Sequence, residues 1–256
     1  MQIIIRLGER AVETVYGLGQ GAVLIFCALY RFFLNKRNIH SLIEQIAFAG
    51  IMSIPLIAMS AIFIGMVFTI QSYWVLDGFG AANQVGLVLG RSVFRELGPV
   101  ISALLFTGRV GSSITAELGL MKTSEQFTLM ELMSVDPISR IIAPRLLGML
   151  IALPLLTMFF NWVALLGSSF VAVKLIGLDA GIFWSNLKTG ILFYNDVLPG
   201  LFKSFLFAFI IAWVSLFHGY FGQSTASGVA RNATKTVVEG SMLILLFDYI
   251  VVALMR

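Results

Sequence analysis

The sequence predicts an all-α membrane protein with five transmembrane helices, an amphipathic helix at the membrane surface before them and a short cytoplasmic helix between two of them. Of the 256 residues, 59% are apolar and only 12% are Asp, Glu, Lys or Arg, about half the charged fraction of a soluble globular chain. Three stretches without a charged residue each exceed the roughly 20 residues that a helix needs to cross the hydrocarbon core. They are Gln45–Leu76, Leu146–Val173 and Ser204–Ala230.

The predicted spans differ in how much charge they carry. Three are almost free of charge: Ala47–Tyr73, Leu146–Val173 and Leu198–Phe221. Two weaker spans, Val85–Leu118 and Val237–Met255, contain ionisable residues. Because an ionisable group is costly inside a bilayer, it normally faces a protein interior or a wet cavity. The two weaker spans are therefore where functional residues are expected.

The distribution of Lys and Arg predicts the orientation of the chain. Five spans place the termini on opposite sides of the membrane, and cytoplasmic loops carry the excess of positive charge. A cytoplasmic N-terminus and a periplasmic C-terminus put 11 of the 17 basic residues on the cytoplasmic side. These 11 are Arg6, Arg10, Arg31, Lys36, Arg37, Arg109, Lys122, Arg140, Arg145, Arg231 and Lys235.

The N-terminal segment, residues 1–40, is predicted to be an interfacial amphipathic helix. Basic residues precede the apolar run Gly21–Tyr30, as they do in a signal peptide. However, Glu9 and Glu13 dilute the basic region, and bulky aromatic residues follow where a small-residue cleavage site is expected. A helix that lies along the membrane surface accounts better for this pattern. The whole chain, residues 1–256, is then one membrane domain.

Composition also excludes several functions. The net charge of +4 forms no basic run, so nothing favours nucleic-acid binding. The single cysteine, Cys27, rules out a disulfide framework and a cysteine-based metal site, and it is interpreted as a small apolar filler. Since the chain has no Gly-rich phosphate loop ending in Lys-Ser or Lys-Thr, ATP hydrolysis must come from another polypeptide. The chain is predicted to hold no cofactor and to catalyse no covalent chemistry.

The segment Met121–Pro137 is too polar to span a membrane and too apolar for a simple loop. We predict a short helix at about residues 121–135. Thr123 with Gln126 three residues later fits a capping box at its start. Asp136 followed by a proline is expected to stop it.

This short helix has one apolar side, on which Phe127, Met130 and Met133 follow at three-residue steps. Such a helix either rests on the membrane surface or enters a groove on a soluble partner. Methionines flanked by Glu125 and Glu131 favour the partner, because flexible thioethers suit a docking surface. The residues predicted to couple the chain to that partner are Met121, Lys122, Glu125, Gln126, Phe127, Met130 and Glu131.

Small residues recur at four-residue steps near the end of the second span, at Gly111, Thr115 and Gly119. A stripe of small residues lets helix backbones approach closely in lipid. The pattern predicts either close helix packing alone or a role in gating.

The stretch Arg95–Pro137, RELGPVISALLFTGRVGSSITAELGLMKTSEQFTLMELMSVDP, resembles the signature of MlaE-type permeases, the membrane subunits of MCE-associated ABC transporters. The resemblance continues through Pro144-Arg145, through Ser215–Tyr220 and into Thr236–Val238 and Asp248. It covers most of the chain, although residues 1–40 and 174–195 match less distinctively.

The resemblance implies a homodimeric permease of the inner membrane that moves phospholipid between the inner and outer membranes of a Gram-negative envelope and so maintains outer-membrane asymmetry. It also implies three partners. An MlaF-type ATPase, which holds the ATP and Mg²⁺, takes the helix around Glu125 and Gln126 as its coupling helix. An MlaB-type STAS protein binds that ATPase, and an MlaD-type MCE hexamer covers the periplasmic face.

The candidate lipid-binding residues are Arg91, Arg95, Glu96, Lys203 and Asp248. Arg91 and Arg95 share a helix face, and arginine donors pair well with phosphate oxygens. Glu96 is expected to point away from Arg95, so these two do not form a simple ion pair. In the family that the chain resembles, positions matching Arg95, Glu96 and Lys203 line a lipid cavity at the dimer centre. The alternative is that the cations only snorkel to the interface, and Asp248 makes either a structural hydrogen bond or a transport contact.

Two other functions remain as alternatives, and one further cluster is predicted. A serine among Ser112, Ser113, Ser168 and Ser169 with His218 would make an intramembrane protease, although serines commonly serve packing in membrane helices. A secondary transporter is the other alternative, but we find neither the paired repeats nor the broken mid-membrane helices of that class. Finally, we expect three charged residues to brace the coupling helix: Arg109, Glu117 and Arg145.

Overall fold

The structure, a computed structural model, describes residues 16–17, 19–31 and 39–254. Throughout this part of the chain the secondary structure is helical, without any strand. Within the described residues, five helical segments are long and apolar enough to cross a membrane. We number them span 1 (Ile39–Asp77), span 2 (Ala82–Thr123), span 3 (Ile138–Leu175), span 4 (Phe193–Phe221) and span 5 (Ala226–Leu254). The prediction of an all-α protein with five spans is therefore confirmed, with spans longer than predicted.

Most of these spans are built from more than one helix. In chain order the helices are α1 (residues 19–31), α2 (Ile39–Gly50), α3 (Ile54–Asp77), α4 (Val85–Ser92), α5 (Gly98–Phe106), α6 (Ser112–Thr123), α7 (Gln126–Leu132), α8 (Ala143–Ser169), α9 (Ala180–Gly190), α10 (Leu198–Phe221) and α11 (Ala226–Leu254). Wider π-helical turns begin, interrupt or end the spans at Val93–Leu97, Thr107–Gly111, Ile138–Ile142, Phe170–Leu175 and Phe193–Val197. Short 3₁₀ turns occur at Ile51–Ser53 and Ala82–Gln84.

Span 3 lies at the centre of the bundle and packs against spans 1, 2 and 4. Its close contact with span 1 depends on glycine. A Cβ at Gly65 would lie 2.2 Å from the carbonyl oxygen of Ala164, and one at Gly167 would lie 2.7 Å from that of Ile62. Because lipid supplies no hydrophobic drive between helices, such close backbone packing is a main source of helix association in a membrane.

All five spans contribute side chains to one hydrophobic core, for example Ile57, Phe106, Phe160, Phe207 and Ile244. The outer surface of the bundle is also apolar, since spans 1, 3, 4 and 5 each carry large apolar side chains that are more than half exposed. They include Val67, Trp74, Leu155, Trp162, Phe202 and Leu245. A bundle that is apolar both inside and outside is what a hydrocarbon solvent requires.

The small-residue stripe of span 2 faces spans 4 and 5. The Thr115 hydroxyl lies 3.0 Å from the carbonyl oxygen of Ser215 and 2.9 Å from the hydroxyl of Thr236. A Cβ at Gly119 would lie 2.9 Å from the Val229 side chain. The close packing predicted for this stripe is therefore confirmed.

The capping box predicted for the short helix is wrong. The last helix of span 2 runs on through Thr123, whose hydroxyl bonds to the carbonyl of Gly119 in its own helix and not forward to α7. The reversal between the two helices is made at Glu125, which adopts a left-handed backbone with φ 55°. Since no side chain caps α7, this short helix begins at Gln126 through backbone geometry alone.

The role predicted for Asp136 is also wrong. The short helix α7 already ends at Leu132. The Asp136 carboxylate instead accepts hydrogen bonds from the backbone N–H groups of Ile138, at 3.3 Å, and Ser139, at 3.2 Å. A carboxylate that accepts from the first free N–H groups of a helix stabilises its N-terminus. Asp136 therefore starts span 3 and does not stop α7.

The N-terminal segment is helical over residues 19–31 and packs against the bundle. Leu24, Ile25 and Ala28 are buried in the main core. A Cβ at Gly21 would lie 2.5 Å from Nε1 of Trp213 in span 4, so α1 contacts that span closely. The predictions that concern residues 1–15 and 32–38, among them the rejected signal peptide, lie outside the described residues. The interfacial position of α1 stays a prediction.

Candidate functional site

A lysine fully enclosed by protein lies at the meeting point of spans 2, 4 and 5. Lys203 of span 4 has no exposed surface. Its Nζ donates to a carboxylate oxygen of Glu96 in span 2 and, at 2.9 Å, to Oδ1 of Asp248 in span 5. We call these residues, together with Arg95, the Lys203 cluster. The structure thus brings together four of the five residues predicted to bind lipid.

Backbone geometry explains how these charges meet. Glu96 lies in the π-helical turn Val93–Leu97, just before Pro99, which provides no backbone N–H and locally loosens the helix. On the facing helix, a Cβ at Gly200 would lie 2.1 Å from the carbonyl oxygen of Phe94. Because residue 200 is glycine, spans 2 and 4 approach closely there. Lys203 follows three residues later, almost one helical turn, and so reaches Glu96.

Arg95 and Glu96 form an ion pair, contrary to the sequence prediction. Nε of Arg95 lies 3.7 Å from Oε1 of Glu96. The prediction assumed the regular spacing of an α-helix, in which neighbouring side chains diverge. Both residues instead belong to a π-helical turn, and both side chains are long enough to bend towards each other. About a third of the Arg95 side chain remains exposed, so a ligand can still reach its guanidinium.

Arg91 lies apart from this cluster. Its Nε is 3.6 Å from Oδ1 of Asp196, while the other carboxylate oxygen of Asp196 accepts from the backbone N–H of Leu192. Asp196 is completely buried, whereas half of the Arg91 side chain is exposed. Sequence reasoning missed Asp196, although it is the only acidic residue between Asp179 and Glu239 and lies two residues before a predicted span. Arg91 therefore joins the starts of spans 2 and 4.

The Lys203 cluster combines two cations with two carboxylates, so it has no net formal charge. A buried lysine that pairs with two carboxylates is already satisfied and is not free to bind phosphate by itself. The partly exposed side chain of Arg95 carries the donors that can reach a phosphate oxygen. Because the cluster is neutral, it attracts an anion less strongly than a site with net positive charge would.

The short helix α7 is attached to the end of span 4. The ammonium group of Lys122, just before α7, donates to the backbone carbonyls of Tyr220, at 3.1 Å, and Gly222, at 2.9 Å. The rings of Phe127 and Tyr220 lie 5.5 Å apart. A cation that bonds to the last carbonyls of a helix caps its C-terminus. The start of α7 is thereby fixed to the C-terminal end of span 4.

The structure divides the predicted coupling residues into two groups. Phe127 is buried against the bundle, and Met121 and Met130 are half-buried beside the core. The exposed face of α7 carries Glu125 and Glu131 instead. Three apolar side chains that are more than half exposed accompany these carboxylates: Leu129, Leu132 and Met133. A partner that docks on α7 meets this mixed acidic and apolar face.

The cluster predicted to brace the coupling helix is present only in part. Nη2 of Arg145 lies 3.0 Å from a carboxylate oxygen of Glu117, which joins spans 2 and 3. Arg109 is not a member, because it donates to the carbonyl of Phe48, at 3.1 Å, and to the hydroxyl of Ser53, at 2.6 Å. It therefore joins span 2 to span 1.

A second ion pair at this end links α1 to the region after α7. Nη1 of Arg31 lies 2.6 Å from Oδ1 of Asp136, the residue that begins span 3. The hydrogen bond and the negative charge of Asp136 raise the pKa of the Arg31 guanidinium. The same carboxylate therefore connects α1 with the first turn of span 3.

The hydrogen bonds of the described residues do not favour a protease. Nε2 of His218 lies 2.7 Å from Oε2 of Glu239, and no hydrogen bond found there joins this histidine to a serine. The Ser112 and Ser168 hydroxyls bond to backbone carbonyls, and Ser113 approaches Glu117. Within the same ranges no group of three or more His, Cys, Asp or Glu side chains is placed to hold a metal ion.

The fold and the site define a class of protein before any comparison. Five apolar spans enclose a charged cluster, and an amphipathic helix at one end is fastened to the span that carries Lys203. This is the arrangement of a polytopic membrane permease. The chain belongs to the MlaE permease family, whose model, described as Permease MlaE, matches residues 42–254. The resemblance stated from the sequence is thereby confirmed.

Curated relatives match over nearly their whole length. The intermembrane phospholipid transport system permease protein MlaE of Haemophilus influenzae is 38% identical over 255 residues, which cover 100% of this chain and 98% of the relative. A probable ABC transporter permease protein of Rickettsia typhi is 32% identical and covers 97% and 96% of the two chains. One of Synechocystis is 32% identical, with 94% and 89% covered. The chain is thus a multi-pass inner-membrane protein of this family.

Proposed function

We propose that this chain is the membrane-spanning subunit of an ABC transporter that moves phospholipid between the inner and outer membranes and so maintains the lipid asymmetry of the outer membrane. The observation that carries the proposal is the end-to-end similarity to the Haemophilus influenzae protein, named as a permease of an intermembrane phospholipid transport system. The Lys203 cluster supports it, because charged groups between apolar spans are costly unless they serve a polar substrate or a structural pair.

In this proposal the lipid head group meets the Lys203 cluster while the acyl chains lie along the apolar spans. Arg95 provides the donors for the phosphate, and Glu96 and Asp248 hold Lys203 in place and keep the site neutral. Arg91 is one helical turn away from Arg95 and half exposed, so it can contact the same head group at the rim. Two copies of the chain would form a homodimer with the cavity at its centre.

The proposed transporter draws its energy from other subunits. An MlaF-type ATPase supplies the ATP and Mg²⁺, an MlaB-type STAS protein binds that ATPase, and an MlaD-type MCE hexamer receives or delivers lipid on the periplasmic side. The chain itself catalyses no covalent chemistry and holds no cofactor. The absence of a Gly-rich phosphate loop from its sequence supports this division of labour.

The contacts of α7 suggest how a movement of the ATPase is transmitted to the lipid-binding residues. The ATPase contacts the exposed face of α7, which carries Glu125 and Glu131. Lys122 and Phe127 pass the movement to the C-terminal end of span 4. The helix α10 of span 4 is uninterrupted from Leu198 to Phe221. At about 1.5 Å per residue, Lys203 and Tyr220 lie about 25 Å apart along it. If this helix moves as a rigid body, a movement of α7 also displaces Lys203.

The substitution Glu125→Lys tests this function. It reverses the charge of an exposed side chain on the partner-facing surface, and lysine meets the same left-handed backbone cost as glutamate at this position. We expect the permease to fold and to bind lipid, while ATP hydrolysis by the assembled complex no longer drives phospholipid transfer between labelled vesicles. The matched control is Glu125→Gln, which keeps the shape and removes only the charge. Unchanged ATP-driven transfer by Glu125→Lys would contradict the coupling role of α7.

A further inference from the structure

A polar pocket lies at the opposite end of span 4 from the Lys203 cluster. It has a volume of about 490 Å³ and is formed where span 4 ends and span 5 begins. Arg231 and Lys235, one helical turn apart on span 5, line it together with His218 and Asn232. Neither Arg231 nor Lys235 forms an ion pair with any described residue. The pocket therefore presents two unneutralised cations.

Asn232 gives an independent indication of a ligand in this pocket. It is 7% exposed, and its Nδ2 donor has no hydrogen-bond partner among the residues that the structure describes. Burying an amide donor without a partner costs free energy, so native proteins usually provide one. Gly222, which also lines the pocket, leaves room for this amide, because a Cβ there would lie 2.1 Å from Nδ2. An unpaired donor beside two cations is suited to an oxyanion.

An apolar groove continues from this polar pocket. It has a volume of about 530 Å³, lies between spans 4 and 5 and beside Gly17 of the N-terminal segment, and shares Phe217 and His218 with the polar pocket. Leu206 and Phe247 line it as well. Between Phe217 and Leu206 the helix rises about 16 Å. The groove thus extends from the polar pocket towards the Lys203 cluster, since Phe247 directly precedes Asp248.

We propose that this pocket and groove hold one anionic phospholipid, with its phosphate at Arg231, Lys235 and Asn232 and its acyl chains between spans 4 and 5. The order of the two parts, cations at the end of the spans and apolar side chains deeper in, matches the order of head group and chains in a bilayer leaflet. Glu239 borders the groove but not the polar pocket, and its carboxylate is paired with His218. The site goes beyond the proposed function, because lipid binding here requires neither ATP nor transport.

Photocrosslinking with the full-length chain tests this site. The chain is placed in nanodiscs of phosphatidylcholine that contain a small amount of phosphatidylglycerol with a diazirine in one acyl chain, and labelled peptides are mapped by mass spectrometry. We expect labels on span 4 between Leu206 and Phe217 and on the facing part of span 5. The double substitution Arg231→Gln with Lys235→Gln should lower this labelling about tenfold, because two charge-assisted contacts are lost.

The control is Lys174→Gln with Lys188→Gln, which removes the same charge from exposed positions outside the pocket and should leave the labelling unchanged. Unlabelled phosphatidylglycerol should compete, and inorganic phosphate should not. Equal competition by phosphate would mean a free-anion site and would overturn the proposal. So would labelling that is insensitive to the double substitution, or crosslinks that show the groove covered by a second copy or by residues 1–15. Because crosslinking needs no ATP, a negative result would rule out this lipid site without contradicting the proposed transport.

Discussion

Lys203 shows most clearly what a charged side chain requires inside an apolar bundle. Its ammonium group is enclosed by protein and is held by two carboxylates from two other spans. Breaking a buried ion pair costs more than the pair itself contributes, because an uncompensated charge remains behind. Lys203 therefore has a structural role, the joining of spans 2, 4 and 5, in addition to its proposed place beside the lipid.

The substitution Lys203→Met tests this role. Because it leaves Glu96 and Asp248 without their cation, we expect a loss of about 3–5 kcal/mol in the free energy of unfolding. Chemical unfolding of the purified chain in detergent measures the loss. Lys188→Met, at an exposed position on α9, is the control and should change stability little. An equally small effect at both positions would contradict the buried pairing of Lys203.

Residue types and spacing singled out the charged residues of the candidate site but not how they pair, and their role in lipid binding stays a prediction. Arg95, Glu96, Lys203 and Asp248 were named from charges in apolar segments, and the structure brings these four together. Sequence reasoning named Lys203 as a lipid-binding residue because it could not show that two carboxylates from distant spans converge on its nitrogen. It missed Asp196 for the same reason, since that residue's importance depends on its burial beside Arg91.

At the scale of the helices, glycine determines where spans meet. Gly65 contacts the backbone at Ala164, and Gly200 contacts the backbone at Phe94. A backbone carbonyl cannot rotate away as a long side chain does, so an added Cβ must push the two helices apart. These contacts fix the distances between spans 1 and 3 and between spans 2 and 4.

The substitution Gly65→Ala is therefore expected to destabilise the bundle by about 1–3 kcal/mol, the usual cost of overpacking. Thermal unfolding in detergent, followed by circular dichroism, provides the measurement. At Gly108 a Cβ meets nothing within 4 Å, so Gly108→Ala serves as the matched control and should be neutral or slightly stabilising. If Gly65→Ala were as stable as the control, the close contact of spans 1 and 3 would be wrong.

The lengths of the apolar segments predicted the number and type of the helices. They did not predict the local geometry within each helix. The sequence predicted five spans and a short helix between spans 2 and 3, and all are present. The capping box at Thr123 failed because the helix of span 2 continues through this residue. The π-helical turn at Val93–Leu97 was missed because nothing in residue type distinguishes an α-helical turn from a π-helical one before tertiary packing acts on it.

For the whole molecule, the orientation rests on the distribution of Lys and Arg, and the single cysteine makes it testable. In a Cys27→Ser background, we expect Tyr194→Cys, next to α9, to react with a membrane-impermeant maleimide in intact spheroplasts. Ser124→Cys, beside α7, should react only after the membrane is opened, because positive charge favours a cytoplasmic position for this end. The reverse pattern of labelling would place α7 outside the cell and away from any cytoplasmic ATPase.

The central claim concerns the assembled protein: a phospholipid permease driven by a separate ATPase. Native mass spectrometry of the chain extracted from its own membrane, with its companion subunits retained, tests both parts in one measurement. The account predicts a complex with two copies of this chain, an ATPase subunit and bound phospholipid. Recovery of the folded chain without an ATPase and without phospholipid would contradict it.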